Sequence, residues 1–252
     1  MLRAESLAKR FGGVRAVEDL SFEVAPGSVH SIIGPNGAGK TTLLNLLSGI
    51  VRPDQGTILF EGREMQGAAQ HRFAAAGIGR TFQNLQIFFN MSAAENVMAG
   101  GWLHQKCSLA AALLRPPGLA RAERQARAEA QALLELVGLA RWSDAQSDAM
   151  PYGALKRLEI ARALAARPKL LLLDEPAAGL NPTETREIDE LIRRIAESGI
   201  TVVLVEHNMK LVMEVSQRVM VLHEGRKLAD GTPGAVSEDP AVVEAYLGAE
   251  HA

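Results

Sequence analysis

Eight consecutive residues, Gly34-Pro35-Asn36-Gly37-Ala38-Gly39-Lys40-Thr41, have the G-x-x-x-x-G-K-[ST] spacing of a loop that cradles phosphate. The glycines let the backbone curl until successive N–H groups face one anion. A helix starting at Lys40 adds its positive dipole end. Lys40 is long enough to reach the β- and γ-phosphates, and the Thr41 hydroxyl, with Thr42 beside it, suits Mg2+. Far downstream, four leucines run into Asp174 and Glu175. That places two carboxylates at the end of a buried strand, where open α/β sheets bind ligands. Asp174 could join the Mg2+ shell, and Glu175 could orient and polarise an attacking water. His207, just beyond the apolar run 200–205, could hydrogen-bond a γ-phosphate at the same sheet edge.

These groups need elements that hold them. A short apolar strand over 29–33 feeds the loop, and the helix from Lys40 ends before Gly49. The first 30 residues read as short strands with turns at Gly12-Gly13 and Pro26-Gly27, and 57–60 reads as another, closed by Glu61-Gly62. Residues 92–137 are rich in Ala and Leu. Ser92 with Glu95 is a capping box, 121–137 has the pattern of a long helix, and Arg115-Pro116-Pro117-Gly118 is a break. Residues 84–159 are thus expected to form a mainly helical lobe. In the last third, strands over 170–173, 200–205 and 219–222 alternate with helices, one starting at Asn181-Pro182 with Glu184 and stopped by Gly199. The expected fold is α/β, with a mainly parallel sheet, an N-terminal antiparallel β part and the inserted lobe. Residues 1–252 read as one domain, with 1–83 and 160–252 as the nucleotide-binding core.

Twenty-seven basic residues against 29 acidic give a net charge of −2, which offers no electrostatic case for binding nucleic acid. No apolar stretch approaches the roughly 20 residues of a membrane helix. Arg3, Glu5, Lys9 and Arg10 leave no apolar leader in the first ten residues, and the single Cys107 cannot form an internal disulfide. A cytoplasmic protein is expected. No N-K-x-D base-reading motif occurs, which argues against a GTPase.

Further motifs carry a family resemblance from about residue 2 to 247. Thr81-Phe82-Gln83 resembles the Q-loop of ATP-binding-cassette transporter ATPases. Met150-Pro151-Tyr152-Gly153-Ala154 sits at the signature, Ala178-Gly179-Leu180-Asn181 at the D-loop, and Phe11 where the family stacks an aromatic on adenine. Lys9 to Val14, the Tyr-Gly of the signature, Val205-Glu206-His207-Asn208-Met209 and Ala245-Tyr246-Leu247-Gly248 resemble branched-chain amino-acid uptake ATPases in particular. The resemblance implies a P-loop NTPase core that binds ATP and Mg2+. Catalysis would fall to Glu175, His207 and Gln83. Nucleotide binding would fall to Phe11, residues Gly34, Pro35, Asn36, Gly37, Ala38, Gly39, Lys40, Thr41 and Thr42, and to Tyr152 and Gly153 acting across a head-to-tail pair of cassettes. Thr41, Gln83 and Asp174 would hold the metal. The implied partners are a second cassette (a copy or a paralogue), integral membrane permease subunits and, indirectly, a solute-binding protein. The implied location is the inner face of the cell membrane. Gln83, Leu85, Phe88, Phe89 and Met91 could form the permease dock; lobe packing accounts equally well for the apolar members.

The signature departs from the family pattern. Pro151 takes the usual serine position and has neither hydroxyl nor backbone N–H, and Ala154 takes the usual glutamine position. Gly153 and the helix after it remain, so a weakened cross-interface grip is expected. The alternatives are a subunit that binds ATP in a structural or regulatory role, or an importer ATPase for another small amide or acid.

Overall fold

The computed structural model describes residues 1–104 and 117–249. Cys107, and Arg115 and Pro116 of the expected break, lie outside the described residues. The N-terminal strands β1 (Leu2–Phe11), β2 (Val14–Val24), β4 (Gln55–Phe60) and β5 (Arg63–Glu64) form an antiparallel sheet in the order β2-β1-β4-β5. The second sheet has the order β10-β9-β3-β8-β7-β6, from β3 (Val29–Ile33), β6 (Ile78–Arg80), β7 (Leu170–Asp174), β8 (Thr201–Val205), β9 (Arg218–His223) and β10 (Arg226–Gly231). All its pairings are parallel except β10 against β9. Buried strands separated by helices require that topology, because each crossover returns to the same sheet edge.

Alternation along β7 and β8 divides the core in two. Leu171, Leu173, Val202 and Leu204 face one hydrophobic cluster, and Leu170, Leu172, Val203 and Val205 face another. Both faces are covered, as the unbroken apolar runs require. On one face lie the antiparallel sheet and α1 (Lys40–Leu47). On the other lie α5 (Tyr152–Ala165), α6 (Pro182–Glu197) and α7 (Met209–Val215). The remaining α-helices among the described residues are α2 (Gln70–Ala76), α3 (Ala93–Gly100), α4 (Pro117–Leu136), α8 (Pro233–Ser237) and α9 (Pro240–Ala249).

The predicted capping box at Ser92 forms, and the helix start expected at Asn181 carries a second one. Ser92 Oγ accepts from Glu95 N while Glu95 returns to Ser92 N, and Asn181 and Glu184 do the same at α6. Between residues 84 and 159 the described regular elements are helices joined by loops, with one isolated bridge between Ser92 and Gln146, and α5 runs unbroken through 159–160, so this segment and the core share one helix. The Arg-rich face of α4 (Arg121, Arg124, Arg127) is exposed. On α7, Leu211, Val212 and Val215 are buried, the partly buried Met209 packs on the cluster of Ile33, Val212 and Val219, and Met213 is partly buried. Among the described residues no helix is long and apolar enough to cross a membrane.

Candidate functional site

The loop between β3 and α1 depends on its glycines. Gly34 and Gly39 have φ of 151° and 100°. A Cβ at Gly34 would strike the Leu222 carbonyl oxygen, and one at Gly39 the Ala16 carbonyl oxygen. The chain is therefore pinned between β9 and β2. Lys40 is buried, with Nζ donating to the carbonyls of Gly34 at 2.7 Å and Pro35 at 2.9 Å. Burial pushes its pKa down, and the nearby carboxylates of Glu175 and Asp174 oppose that shift. Asn36, Gly37 and Thr41 are exposed, Ala38 is buried, and Pro35 and Thr42 are partly covered.

The other side of the site is the end of β7. Glu175 follows the strand at φ 49°, a left-handed conformation uncommon for a residue with a side chain. Its N–H donates to Val205 O at 2.9 Å, which fixes the turn. Its carboxylate is held from both sides: Gln83 Nε2 donates to Oε2 at 3.1 Å, and His207 Nε2 lies 2.9 Å from Oε1. Three residues far apart in sequence thus meet at one carboxylate.

Asp174 is 2% exposed. Its Oδ2 accepts from Arg80 Nη2 at 3.1 Å, but its buried Oδ1 has no hydrogen-bond partner. Burial raises its pKa, against the pull of Arg80. An orphaned carboxylate oxygen beside a phosphate loop fits a hydrated Mg2+, which binds through one or two carboxylates plus phosphate oxygens. No described cluster of three acidic, His or Cys side chains offers a complete metal cage, so Thr41, Asp174 and the nucleotide's own oxygens would share the task. Gln83, also expected at the metal, spends its amide nitrogen on Glu175.

Several positioning groups are not singled out by the sequence. Glu206, 4% exposed, accepts from Ala177 N at 2.8 Å and from His207 N at 3.0 Å, tying the D-loop segment to the His207 turn. On α5, Lys156 Nζ donates to Gln83 O at 3.1 Å, while Glu159 accepts from Phe82 N and Gln86 N at 3.3 Å. Both are buried, and burial raises the Glu159 pKa. Two charged side chains one turn apart on an otherwise apolar helix face were the available signal, because buried charges need partners. Arg80 ends the short strand β6, and only the β6–β7 pairing brings it to Asp174.

Tyr152 and Gly153 start α5, with the Tyr152 ring 5.8 Å from the Nζ of Lys156. Gly153 packs against the Glu184 carboxyl, and the Tyr152 ring lies against Gly179. Among the described residues no hydrogen bond links 151–154 to the phosphate loop. The Phe11 ring is half exposed at the end of β1, with Lys9 Nζ 5.6 Å from its centroid. Phe88 and Phe89 are exposed at 46% and 47%. The buried Asn96 holds their loop, accepting from Phe88 N at 2.9 Å and donating to Phe88 O at 3.0 Å. The Phe88 ring packs against the guanidinium of Arg162 on α5, 5.3 Å from its centroid, and Leu85 packs on the core.

Residues 17–178 match the family model described as ABC transporter, and 226–252 match that of the branched-chain amino acid ATP-binding cassette transporter. The chain is 43% identical over 249 residues to the high-affinity branched-chain amino acid transport ATP-binding protein BraF of Pseudomonas aeruginosa, covering 98% of both. It is 42% identical over 249 residues to LivG of Escherichia coli (strain K12), a protein of the same description, again with 98% coverage of both. The lipopolysaccharide export system ATP-binding protein LptB of Acidithiobacillus ferridurans is 38% identical, with 98% of this chain and 97% of LptB covered. A solved ATP-binding cassette in its ADP conformation superposes with a TM-score of 0.85 at 32% identity, covering 98% of both chains. A nucleotide-free cassette gives 0.84 at 31% identity, with the same coverage.

Proposed function

The chain belongs to the ABC transporter family as one of its ATPase subunits, and on that premise we propose that it powers import of branched-chain or closely related amino acids through membrane permease subunits. The observation that carries this is the C-terminal match over 226–252, which lies outside the general ATPase match and belongs to the branched-chain family.

In this reading Lys40 leaves the carbonyls of Gly34 and Pro35 for the β- and γ-phosphates, exchanging neutral acceptors for charged ones. The loop from Gly34 to Thr42 wraps the phosphates, with the backbone N–H groups of its non-proline residues as donors, and Phe11 stacks on the adenine. Thr41, the free oxygen of Asp174 and Gln83 would hold Mg2+, which would supply charge neutralisation for the phosphoryl oxygens. Glu175 accepts a hydrogen bond from the attacking water, while Gln83 and His207 fix its orientation. Gln83 is bonded to Glu175 and gripped through its backbone by Lys156, so movement of the lobe would reach the catalytic carboxylate directly. Tyr152 and Gly153 would serve the nucleotide of a second cassette, either a copy of this chain or a paralogue. The exposed Phe88 and Phe89 would meet a permease helix at the cytoplasmic face of the membrane, and a solute-binding protein would deliver the cargo.

The test is to reconstitute the chain in vesicles with the membrane subunits that co-purify with it. ATP-dependent accumulation of radiolabelled leucine, isoleucine or valine is expected. Accumulation of a chemically unrelated solute, with none of these, would overturn the reading.

A further inference from the structure

We propose that Arg80 is a positioning residue for the metal-binding carboxylate, orienting Asp174 so that one oxygen stays free for hydrated Mg2+. The inference rests on the reading above in which Asp174 holds that ion.

The guanidinium of Arg80 is 6% exposed and joins three segments of the site. Its Nη2 donates to Asp174 Oδ2 at 3.1 Å. Its Nη1 donates to Asn45 Oδ1 at 2.7 Å and Ser48 Oγ at 2.9 Å, both at the far end of α1, the helix that starts at the phosphate loop. Its carbon CZ lies 4.9 Å from the centre of the Phe82 ring, next to Gln83. A planar fork can serve divergent acceptors while keeping its charge on one carboxylate; a lysine ammonium lacks that geometry.

The pairing leaves Asp174 with one engaged and one orphaned oxygen. The Asp174 backbone N–H is held as well, donating to Thr81 Oγ1 at 3.3 Å. A buried carboxylate with a free oxygen is expensive unless something completes it. Single-sided pairing explains the arrangement: Arg80 neutralises and aims the group without filling the position a metal-bound water would take. Mutation of groups that hydrogen-bond a metal-ligating carboxylate typically weakens metal affinity about ten- to a hundredfold.

The probe is Mn2+ binding to the ADP complex of the full chain, read by the electron paramagnetic resonance signal of free Mn2+. ADP affinity in EDTA is measured alongside. Arg80→Lys and the double variant Asn45→Ala/Ser48→Ala are used because Arg80→Met would leave a buried unpaired charge and could unfold the protein. We expect Arg80→Lys to weaken Mn2+ binding about tenfold or more and the double variant to weaken it less, both with metal-free ADP affinity kept. Unchanged Mn2+ affinity in both variants would overturn the proposal. So would a proportional loss of metal-free ADP affinity, since Arg80 would then serve the phosphate loop as a whole. Asp174→Asn separates the two readings: if it leaves Mn2+ binding intact, the assignment of Asp174 to the metal fails first.

Discussion

Glu175 Oε1 and His207 Nε2 lie 2.9 Å apart, although 32 residues separate them in the chain. With Nε2 protonated, the imidazole donates to the carboxylate and holds it where a water could meet it. If the two act as one unit, their losses do not add. Glu175→Gln is expected to slow phosphate release by about a hundredfold or more, the usual scale for losing a general base. His207→Ala should slow it too, and the double variant should be no slower than the worse single one. Additive losses in steady-state turnover would separate the two roles.

The Lys40 ammonium spends two hydrogen bonds on loop carbonyls. Transferred to phosphate oxygens, such bonds become charge-assisted and contribute more. Lys40→Ala is therefore expected to weaken ATP binding by about 3 kcal/mol, or roughly a hundredfold in Kd. Calorimetric titration checks this, and an unchanged Kd would remove Lys40 from phosphate binding.

The phosphate loop, the acidic end of β7 and the starts of α3 and α6 were legible in sequence because each is a local signal. Glycine spacing, an apolar run ending in two carboxylates, and a Ser or Asn three residues before Glu need no knowledge of the rest of the chain. Arg80 was not legible. Its strand has three residues, and its partner Asp174 lies 94 positions away. Glu206 could be quoted as part of a motif, but its grip on Ala177 depends on how two loops close against each other. Strand β10 was missed because it is a polar edge strand with a register shift between Lys227 and Ala229, which breaks the alternation that marks strands.

His30 sits in β3 at 1% exposure, with its ring 6.0 Å from that of Phe22 and Nε2 without a partner. Burial pushes its pKa from 6.5 to about 4; Asp230 opposes the shift, and Arg218 and Lys227 add to it. The unfolded chain takes up this proton below pH 6.5, whereas the folded protein resists until about pH 4. The contribution is therefore complete above pH 6.5 and is lost as pH falls toward 4. At full size it is about 3 kcal/mol. His30→Leu should flatten the fall in urea-unfolding free energy between pH 6.5 and 4, relative to the unmodified chain. Parallel curves for the two proteins would show that other groups carry the acid sensitivity.

The two departures in the signature are not equivalent in the fold. Pro151 is exposed at the N-cap of α5, and the cap has no side-chain hydrogen bond. Ala154 is 3% exposed and belongs to the core cluster shared by lobe and sheet. Pro151→Ser supplies a hydroxyl where a helix N-terminus and a γ-phosphate both want one, so it should raise thermal stability by about 1 kcal/mol. It should also raise the turnover of the assembled transporter severalfold, by about one added hydrogen bond. Ala154→Gln asks the core to accept a longer polar side chain, so its gain at the nucleotide is set against the burial of an amide. The single Pro151→Ser variant should therefore be more stable than the double. Thermal unfolding of the three proteins, alongside ATPase rates in vesicles, decides the matter. A double variant as stable as Pro151→Ser would mean that the position of Ala154 opens to solvent, and unchanged turnover in both would mean that the grip across the interface comes from Gly153 and the helix end alone.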